Sequence, residues 1–193
     1  MKTNEAARIF ESDLLEAVSR AHPVLNTAVG VFLAGFCASR VNFAALGLFA
    51  AAATVAAVVF GWTLIEYAMH RFVFHWTPKN ALAARVMYLV HAYHHDHPNE
   101  SSRNMFPLAM SLPFALLVWL AMWTLMPREF SLLAFAVLVL MFTIYDLVHY
   151  LHHMPTKFMP ELRRRHMLHH FRDHDANFGV TSSLWDRVFR TRG

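Results

Sequence analysis

Histidines are the residues of this sequence whose type and spacing could do chemistry. Thirteen of the fourteen lie between residues 70 and 174. Eleven of them form four clusters along the chain: His70 and His75; His91, His94 and His95; His149, His152 and His153; and His166, His169 and His170. Neutral imidazole binds iron, zinc and copper, and so many imidazoles exceed the coordination number of one ion. The pattern therefore predicts a site for two metal ions.

The spacing within the clusters predicts helices. Positions i, i+3 and i+4 of a helix lie within about 100° of each other, so the second and fourth clusters each project three imidazoles to one side. His149 and His153 have the i, i+4 relation. His70 and His75 are five residues apart, and on an ideal helix they would diverge by about 140°. A bend or a helix end is therefore predicted between these two residues.

Four apolar runs are the elements that must position these clusters. They cover residues 24–39, 44–66, 106–126 and 130–150, and short polar turns at 40–42 and 127–129 join them in pairs. About 20 apolar residues cross a hydrocarbon core of ~30 Å, and only the first run is short for this. The sequence predicts an all-α integral membrane protein of four transmembrane helices in two hairpins. All histidine clusters then meet at one face, under a cytosolic helical cap that begins at about residue 154.

Composition and charge agree with a membrane protein. Apolar residues make up 56% of the chain and charged residues 16%, which argues against a soluble domain. Fifteen of the seventeen lysines and arginines lie in residues 1–22, 67–105 and 152–193. This alternation is typical of a multi-pass protein with both termini in the cytosol, in a bacterial inner membrane or the endoplasmic reticulum. A nucleic-acid surface would not be interrupted by four long apolar runs.

The chain is predicted to have an amphipathic segment, residues 1–22, followed by one domain, residues 23–193. Residues 4–21 read as an amphipathic helix that lies in the membrane interface or packs on the domain. Cys37 is the only cysteine and lies in an apolar run, so neither a disulfide framework nor an iron–sulfur cluster is available.

Two carboxylates stand close to the clusters along the chain. Glu66 is one turn before His70, and Asp146 is three residues before His149. A charge near a span end is costly, and ligand histidines commonly donate their second ring N–H to a carboxylate. We therefore expect Glu66 and Asp146 to orient ligand imidazoles, the alternative being plain helix-end charges.

The clusters and their flanks resemble the fatty acid hydroxylase superfamily of membrane di-iron enzymes, and within it the fatty acid 2-hydroxylases of sphingolipid metabolism. The resemblance covers about residues 60–191. It rests on EYAMHRFVFH (66–75), HAYHHDHP (91–98), YDLVHYLHH (145–153), RRHMLHHF (164–171) and NFGVTSSLWDRVF (177–189). A single HxxHH string is a weak signal, whereas four such boxes in order with these flanks are specific.

The resemblance implies a metal site, a substrate and partners. Its ligands would be ten histidines: His70, His75, His91, His94, His95, His149, His153, His166, His169 and His170. His152 would be a close neighbour of the site. The resemblance implies two iron ions, which zinc could replace in a purified sample, with O2 as co-substrate. A lipid acyl chain would be hydroxylated at carbon 2, and a separate cytochrome- or ferredoxin-type protein would supply electrons.

Four residues are predicted to line the polar end of the lipid: Tyr145, Tyr150, Asn177 and Trp185. Each of them could equally serve packing in the cap. The sequence leaves two other functions open. One is a carotenoid or sterol hydroxylase of the same superfamily. The other is a membrane metal-binding or metal-transport protein. A transport path would require ionisable residues near mid-membrane, and the inner halves of the apolar runs carry none, which counts against transport.

Overall fold

The computed structural model describes residues 8–193, which contain helices and no strand. The α-helices are α1 (Asp13–Val18), α2 (Pro23–Ser39), α3 (Phe43–Leu46), α4 (Leu48–Ala68), α5 (Ala81–Met87), α6 (Tyr93–Asp96), α7 (Leu108–Leu125), α8 (Arg128–His153), α9 (Pro160–Phe171) and α10 (Leu184–Val188). The amphipathic helix predicted over 4–21 lies partly outside the described residues, and α1 is its helical part within them.

Three helical segments are long and apolar enough to cross a membrane: Leu48–Phe74, Ser101–Leu125 and Arg128–His153. The α2 helix is apolar but has 17 residues, or about 25 Å at 1.5 Å per residue. The predicted all-α class is therefore confirmed, and the chain is a membrane protein with three candidate spans. The four-span count, the paired hairpins, the cytosolic cap and the division at residue 22 remain predictions.

The second span begins later than its apolar run. Residues 43–46 form the separate short helix α3, and Gly47 follows it with a φ of 79°. That left-handed conformation is accessible to glycine at little cost, so the chain turns there before α4 starts. The apolar run predicted the span, whereas the glycine decides where the helix begins.

The α8 helix is the centre of the bundle. Ala34 and Cys37 of α2 pack against Phe135, Ala136 and Val139 of α8. The two helices are also very close at Gly30, where a Cβ atom would lie 2.1 Å from the Thr143 hydroxyl oxygen.

The α4 and α7 helices expose much of their apolar surface. Phe49 of α4 is 88% exposed, and Leu125 of α7 is 83% exposed. An apolar patch of this extent is a liability in water, whereas in a bilayer it faces hydrocarbon. Together with the length of the spans, this surface supports a membrane location.

Candidate metal centre

A wide helical turn brings the first two histidines together. The α4 helix continues into a π-helical turn at Met69–Phe74. Its hydrogen bonds run from i to i+5, so residues five apart stand almost above one another. The rings of His70 and His75 consequently lie 5.2 Å apart between centroids. The bend that the five-residue spacing predicts is this turn, and a second π-helical turn, Tyr88–Ala92, carries His91.

The ten histidines form two compact groups. In each group one ring nitrogen per residue lies within 4.8 Å of every other, as a metal site requires. Group A consists of His70, His75, His91, His95 and His169, and group B of His94, His149, His153, His166 and His170.

Helical spacing explains how the clusters divide between the groups. His91 and His95, which are four residues apart, stay in group A, whereas His94 belongs to group B. Successive residues of a helix diverge by about 100°, so His94 and His95 face different centres. The same rule operates on α9, where His166 and His170 belong to group B and His169 to group A. Two helices are therefore shared by both groups.

The distances between ring nitrogens suit a metal ion. Two nitrogens that each lie about 2.1 Å from one ion at a right angle are about 3 Å apart. The Nε2 atoms of His91 and His95 are 2.9 Å apart in group A, and those of His94 and His170 are 3.0 Å apart in group B. Imidazole nitrogens without carboxylates suit iron, copper or zinc better than magnesium or calcium. Each group therefore fits one transition-metal ion.

Burial keeps these imidazoles neutral. It lowers the pKa of His75 to about 4 and the pKa of His169 to about 3, and the charges of neighbouring histidines add to the effect. The pKa of His91 lies well below its usual value for the same reasons. A neutral ring keeps the lone pair that a metal ion needs.

Main-chain carbonyls orient the group A histidines. His70 Nδ1 lies 2.6 Å from the carbonyl oxygen of Phe178, and His169 Nδ1 lies 2.8 Å from that of Ala176. An Nδ1–H that donates to a carbonyl leaves Nε2 with the lone pair that faces the centre. Both carbonyls belong to residues 176–181, the loop that follows α9, which we call the A loop.

One residue orients two histidines of group B. The Asn104 carbonyl oxygen lies 2.9 Å from His149 Nδ1, and the Asn104 side-chain oxygen lies 3.0 Å from His94 Nδ1. Asn104 is 1% exposed, and its amide nitrogen donates to the carbonyl of Pro98 at 3.1 Å. The sequence analysis missed Asn104, because nothing distinguishes this residue from others of the polar stretch around it.

The carboxylates act one step further out than predicted. Glu66 accepts the backbone N–H groups of Val180 and Thr181 at 2.6 and 2.8 Å. Asp146 accepts the backbone N–H of Phe106 at 3.0 Å. The expected direct hydrogen bonds to ligand histidines are therefore wrong. The reason is that main-chain carbonyls and Asn104 occupy the ring N–H groups, and the carboxylates hold the loops that supply those acceptors.

Asp186 is a further carboxylate of this kind. It accepts the N–H groups of Phe178 and Gly179, both at 2.9 Å. The turn also requires glycine, because a Cβ atom at residue 179 would lie 1.9 Å from the Ser182 carbonyl oxygen. The only sequence signal for Asp186 was its place in the LWD flank.

His152 lies beside group B rather than in it. It is fully buried, and its ring centroid is 5.4 Å from that of His166. Neither of its ring nitrogens has a hydrogen-bond partner among the described residues.

Of the four residues predicted at the lipid's polar end, Tyr145 stacks on a histidine of group B. Its ring is parallel to that of His149, at 6.1 Å between centroids. Trp185 donates to the Thr63 hydroxyl at 2.9 Å, and the Asn177 backbone N–H donates to the Thr191 carbonyl at 2.7 Å. Tyr150 is half-buried. The role of these four residues at the lipid's polar end remains a prediction.

One cavity adjoins the histidine groups, and a second cavity adjoins the first. The outer cavity, of about 250 Å³, is lined by His91, His94, His149 and Tyr145 together with residues of the N-terminal segment. The inner cavity, of about 330 Å³, lies between α2, α4, α7 and α8, and its lining is mostly apolar, with Asn26, Ser111, Thr143 and Asp146 as the polar residues. Met105 and Phe106 line both cavities. An apolar chain in the inner cavity would therefore lead towards the histidines.

A membrane bundle that carries two interleaved five-histidine groups defines a class: membrane proteins built to hold two transition-metal ions. Within that class, the profile of the "Fatty acid hydroxylase" family matches residues 55–191. The chain belongs to this family, and it is accordingly an oxidoreductase. The predicted resemblance is confirmed.

Two named relatives and one solved structure are similar to this chain. The chain is 35% identical to dihydroceramide fatty acyl 2-hydroxylase FAH2 of Arabidopsis thaliana, over 97% of this chain and 80% of that protein. It is 37% identical to ceramide very long chain fatty acid hydroxylase scs7 of Schizosaccharomyces pombe, over 70% of this chain and 41% of that protein. The fold is also similar to a solved structure described as full length scs7p, with only the hydroxylase domain visible. The match covers 94% of this chain and 70% of the chain in that structure, with a TM-score of 0.78 and 29% sequence identity.

Proposed function

We propose that this protein is a two-iron membrane hydroxylase that adds a hydroxyl group to carbon 2 of the acyl chain of a sphingolipid-type lipid. The observation that carries the proposal is the pair of interleaved five-histidine groups. Three of these histidines, His91, His94 and His149, also line the outer cavity. The names of the relatives support the position of hydroxylation and the lipid class, because they are called dihydroceramide fatty acyl 2-hydroxylases and a ceramide hydroxylase.

In this proposal, groups A and B each hold one iron ion. Two bound iron ions supply the O2-dependent oxidation of an unactivated C–H bond, a reaction that amino-acid side chains cannot perform. The protein supplies neutral imidazoles, fixes their orientation through the A loop and Asn104, and keeps bulk water away by burial. Zinc would bind the same nitrogens, so the metal of a purified sample needs to be measured.

The two cavities suggest how carbon 2 is selected. The inner cavity takes the hydrocarbon chain, and the outer cavity takes the polar end, with Tyr145 on its wall. The carbon next to the polar end then lies beside His91, His94 and His149. Position selectivity would follow from this partition of an amphiphile, without a specific contact to the end of the chain.

Topology and electron supply complete the proposal. The α2 helix serves as a short fourth span, so that both termini and the metal centre lie on the cytosolic side. Electrons come from a separate carrier protein, for which the exposed basic residues Arg164 of α9 and Arg172, directly after it, offer a docking surface.

Lipid mass spectrometry on cells that express the chain tests this function. We expect 2-hydroxyacyl lipids with the wild type, none with His169→Ala, and wild-type levels with the matched control His97→Gln, because His97 is exposed and belongs to neither group. Hydroxylated carotenoid or sterol instead of 2-hydroxyacyl lipid would assign the chain to another branch of the family. Absence of every hydroxylated product, with both metals bound, would contradict the proposal.

A further inference from the structure

The N-terminal segment closes one side of the outer cavity. Residues 9–18 contribute Ile9, Phe10, Leu15 and Val18 to its lining, in the same cavity as His91, His94 and His149. The family profile begins at residue 55, so this wall lies outside the matched region. These apolar side chains and the histidines and other polar residues of the same cavity give it the mixed lining that the polar end of an amphiphile requires.

An ion-pair cluster fastens the segment over the cavity. Arg103 lies 2.5 Å from the Glu16 carboxylate and 2.8 Å from that of Glu100. The Arg103 side chain is 6% exposed and that of Glu16 is 10% exposed. Breaking such a buried pair leaves an uncompensated charge and is strongly unfavourable. The backbone adds a further bond, because the Ala21 N–H donates to the Ser102 carbonyl at 2.8 Å.

The fastening point adjoins the metal centre along the chain. Arg103 is followed directly by Asn104, which orients His94 and His149. Residues 102–104 therefore contact the N-terminal segment at one end and group B at the other. This arrangement connects the wall of the cavity to the histidines by three consecutive residues.

The outer cavity has the more polar lining, and the inner cavity has the more apolar lining. Ser19, Tyr93, Arg103 and Asn104 bring polar groups to the outer cavity. The lining of the inner cavity is dominated by aliphatic and aromatic side chains. Because Met105 and Phe106 line both, one amphiphile can occupy the two together.

We propose that Ile9, Phe10, Leu15 and Val18 form the outer wall of the substrate site, and that the cavity they close binds the polar end of an acyl lipid. This inference rests on the proposed function for the identity of the lipid. The Glu16–Arg103 ion pair keeps the wall in place. These four side chains thus belong to the substrate site, although they contribute no metal ligand.

Thiol protection tests the wall without requiring turnover. Cys37 is the only native cysteine and is buried, so an introduced thiol can be labelled selectively. Leu15 lines the cavity, whereas its neighbour Leu14 does not and is 71% exposed. In the metal-loaded protein in detergent, a long-chain N-acyl amino alcohol should slow maleimide labelling of Leu15→Cys at least severalfold and leave Leu14→Cys unchanged. Equal effects at the two positions, or no effect at Leu15→Cys, would overturn the proposal.

Kinetics of Glu16→Gln test the ion pair. We expect the KM for the lipid to rise severalfold while two metal ions per chain are retained. The matched control is Asp13→Asn on the same helix, because Asp13 pairs with Arg8 at the surface and its side chain is 93% exposed. Loss of metal with an unchanged KM would overturn the wall role and make the segment a support of group B. If the lipid protects Leu15→Cys from labelling but the wild-type protein forms no hydroxylated lipid, the wall role would stand and the proposed function would be rejected.

Discussion

Groups A and B have the same number of histidines but differ in what supports them. In group A, two histidines donate to two separate carbonyls of the A loop, those of Ala176 and Phe178. In group B, the corresponding donors of His94 and His149 both depend on Asn104. Two residues therefore orient these two histidines of group A, whereas a single residue, Asn104, orients two histidines of group B.

The carboxylates that hold these supports differ as well. Glu66 and Asp186 together accept four backbone N–H groups of the A loop. On the side of group B, Asp146 accepts one backbone N–H, that of Phe106. Arg103, which precedes Asn104, is held by ion pairs with Glu16 and Glu100. Charge-assisted hydrogen bonds of this kind are stronger than neutral ones. In both groups, residues outside the histidine helices orient the rings, and buried carboxylates hold the loops that carry those residues.

Removal of a ligand should give the largest effect and should separate the groups. We expect His169→Ala to abolish metal binding in group A, and His166→Ala to abolish it in group B. Activity should fall more than about 100-fold in both variants, since changes in residues that only orient ligands already cost about 10–100-fold. Metal content by mass spectrometry should fall from two ions per chain to one. If either variant lost both ions together, the two groups would not be independent sites.

Neutralising a carboxylate that holds a loop should give the second-largest effect. Glu66→Gln weakens the acceptor of the Val180 and Thr181 N–H groups, and we expect the metal affinity of group A to fall about 10–100-fold. Asp146→Asn is its counterpart on the side of group B and should leave group A unchanged. Chelator competition on the purified protein measures both affinities. A loss confined to group B in Glu66→Gln would contradict the assignment of this carboxylate to the A loop.

Loss of the Asn104 side chain should have a smaller effect. Asn104→Ala removes the acceptor of His94 but retains the main-chain carbonyl that faces His149. One lost hydrogen bond costs about 1 kcal/mol, so the metal affinity of group B should fall about fivefold. The same titration, with group A as the internal reference, checks this value. An unchanged affinity would show that His94 needs no acceptor.

A change in the bundle away from both groups should alter stability alone. Gly30→Ala places a methyl group against Thr143, and overpacking of this kind costs about 1–3 kcal/mol. The matched control is Gly35→Ala on the same helix, because no neighbouring atom of residues 8–193 lies within 4 Å of a Cβ atom there. Thermal unfolding in detergent should show a lower Tm for Gly30→Ala only, with metal affinity unchanged. A parallel loss of metal would mean that the packing of α2 on α8 also supports the groups.

Much of the architecture was predictable from the sequence. The long apolar runs predicted the spans, because a bilayer requires about 20 apolar residues per helix. The i, i+4 spacing of His149 and His153, which share a group, follows from the helical repeat. The five-residue spacing of His70 and His75 predicted a distortion between them, and a π-helical turn lies there.

Other features could not be read from the chain. Glu66 and Asp146 stand within one turn of histidines in sequence, yet they hold loops whose backbone N–H groups come from elsewhere in the chain. Asn104 was invisible as a functional residue, since an asparagine in a polar stretch has no distinguishing pattern. Local spacing specifies the direction of a side chain but not the partner that meets it.

The sequence by itself determined the family, the apolar helices and the histidines that could bind metal, because residue type and helical period are local properties. Only the tertiary structure decided how those histidines divide into two groups, which carbonyls orient their rings, and that the N-terminal segment faces them. Those outcomes depend on contacts between residues far apart in the chain. Glu16 and Arg103 are 87 positions apart, and His70 and Phe178 are 108 positions apart. Such contacts are set by the packing of whole helices rather than by any neighbouring residue.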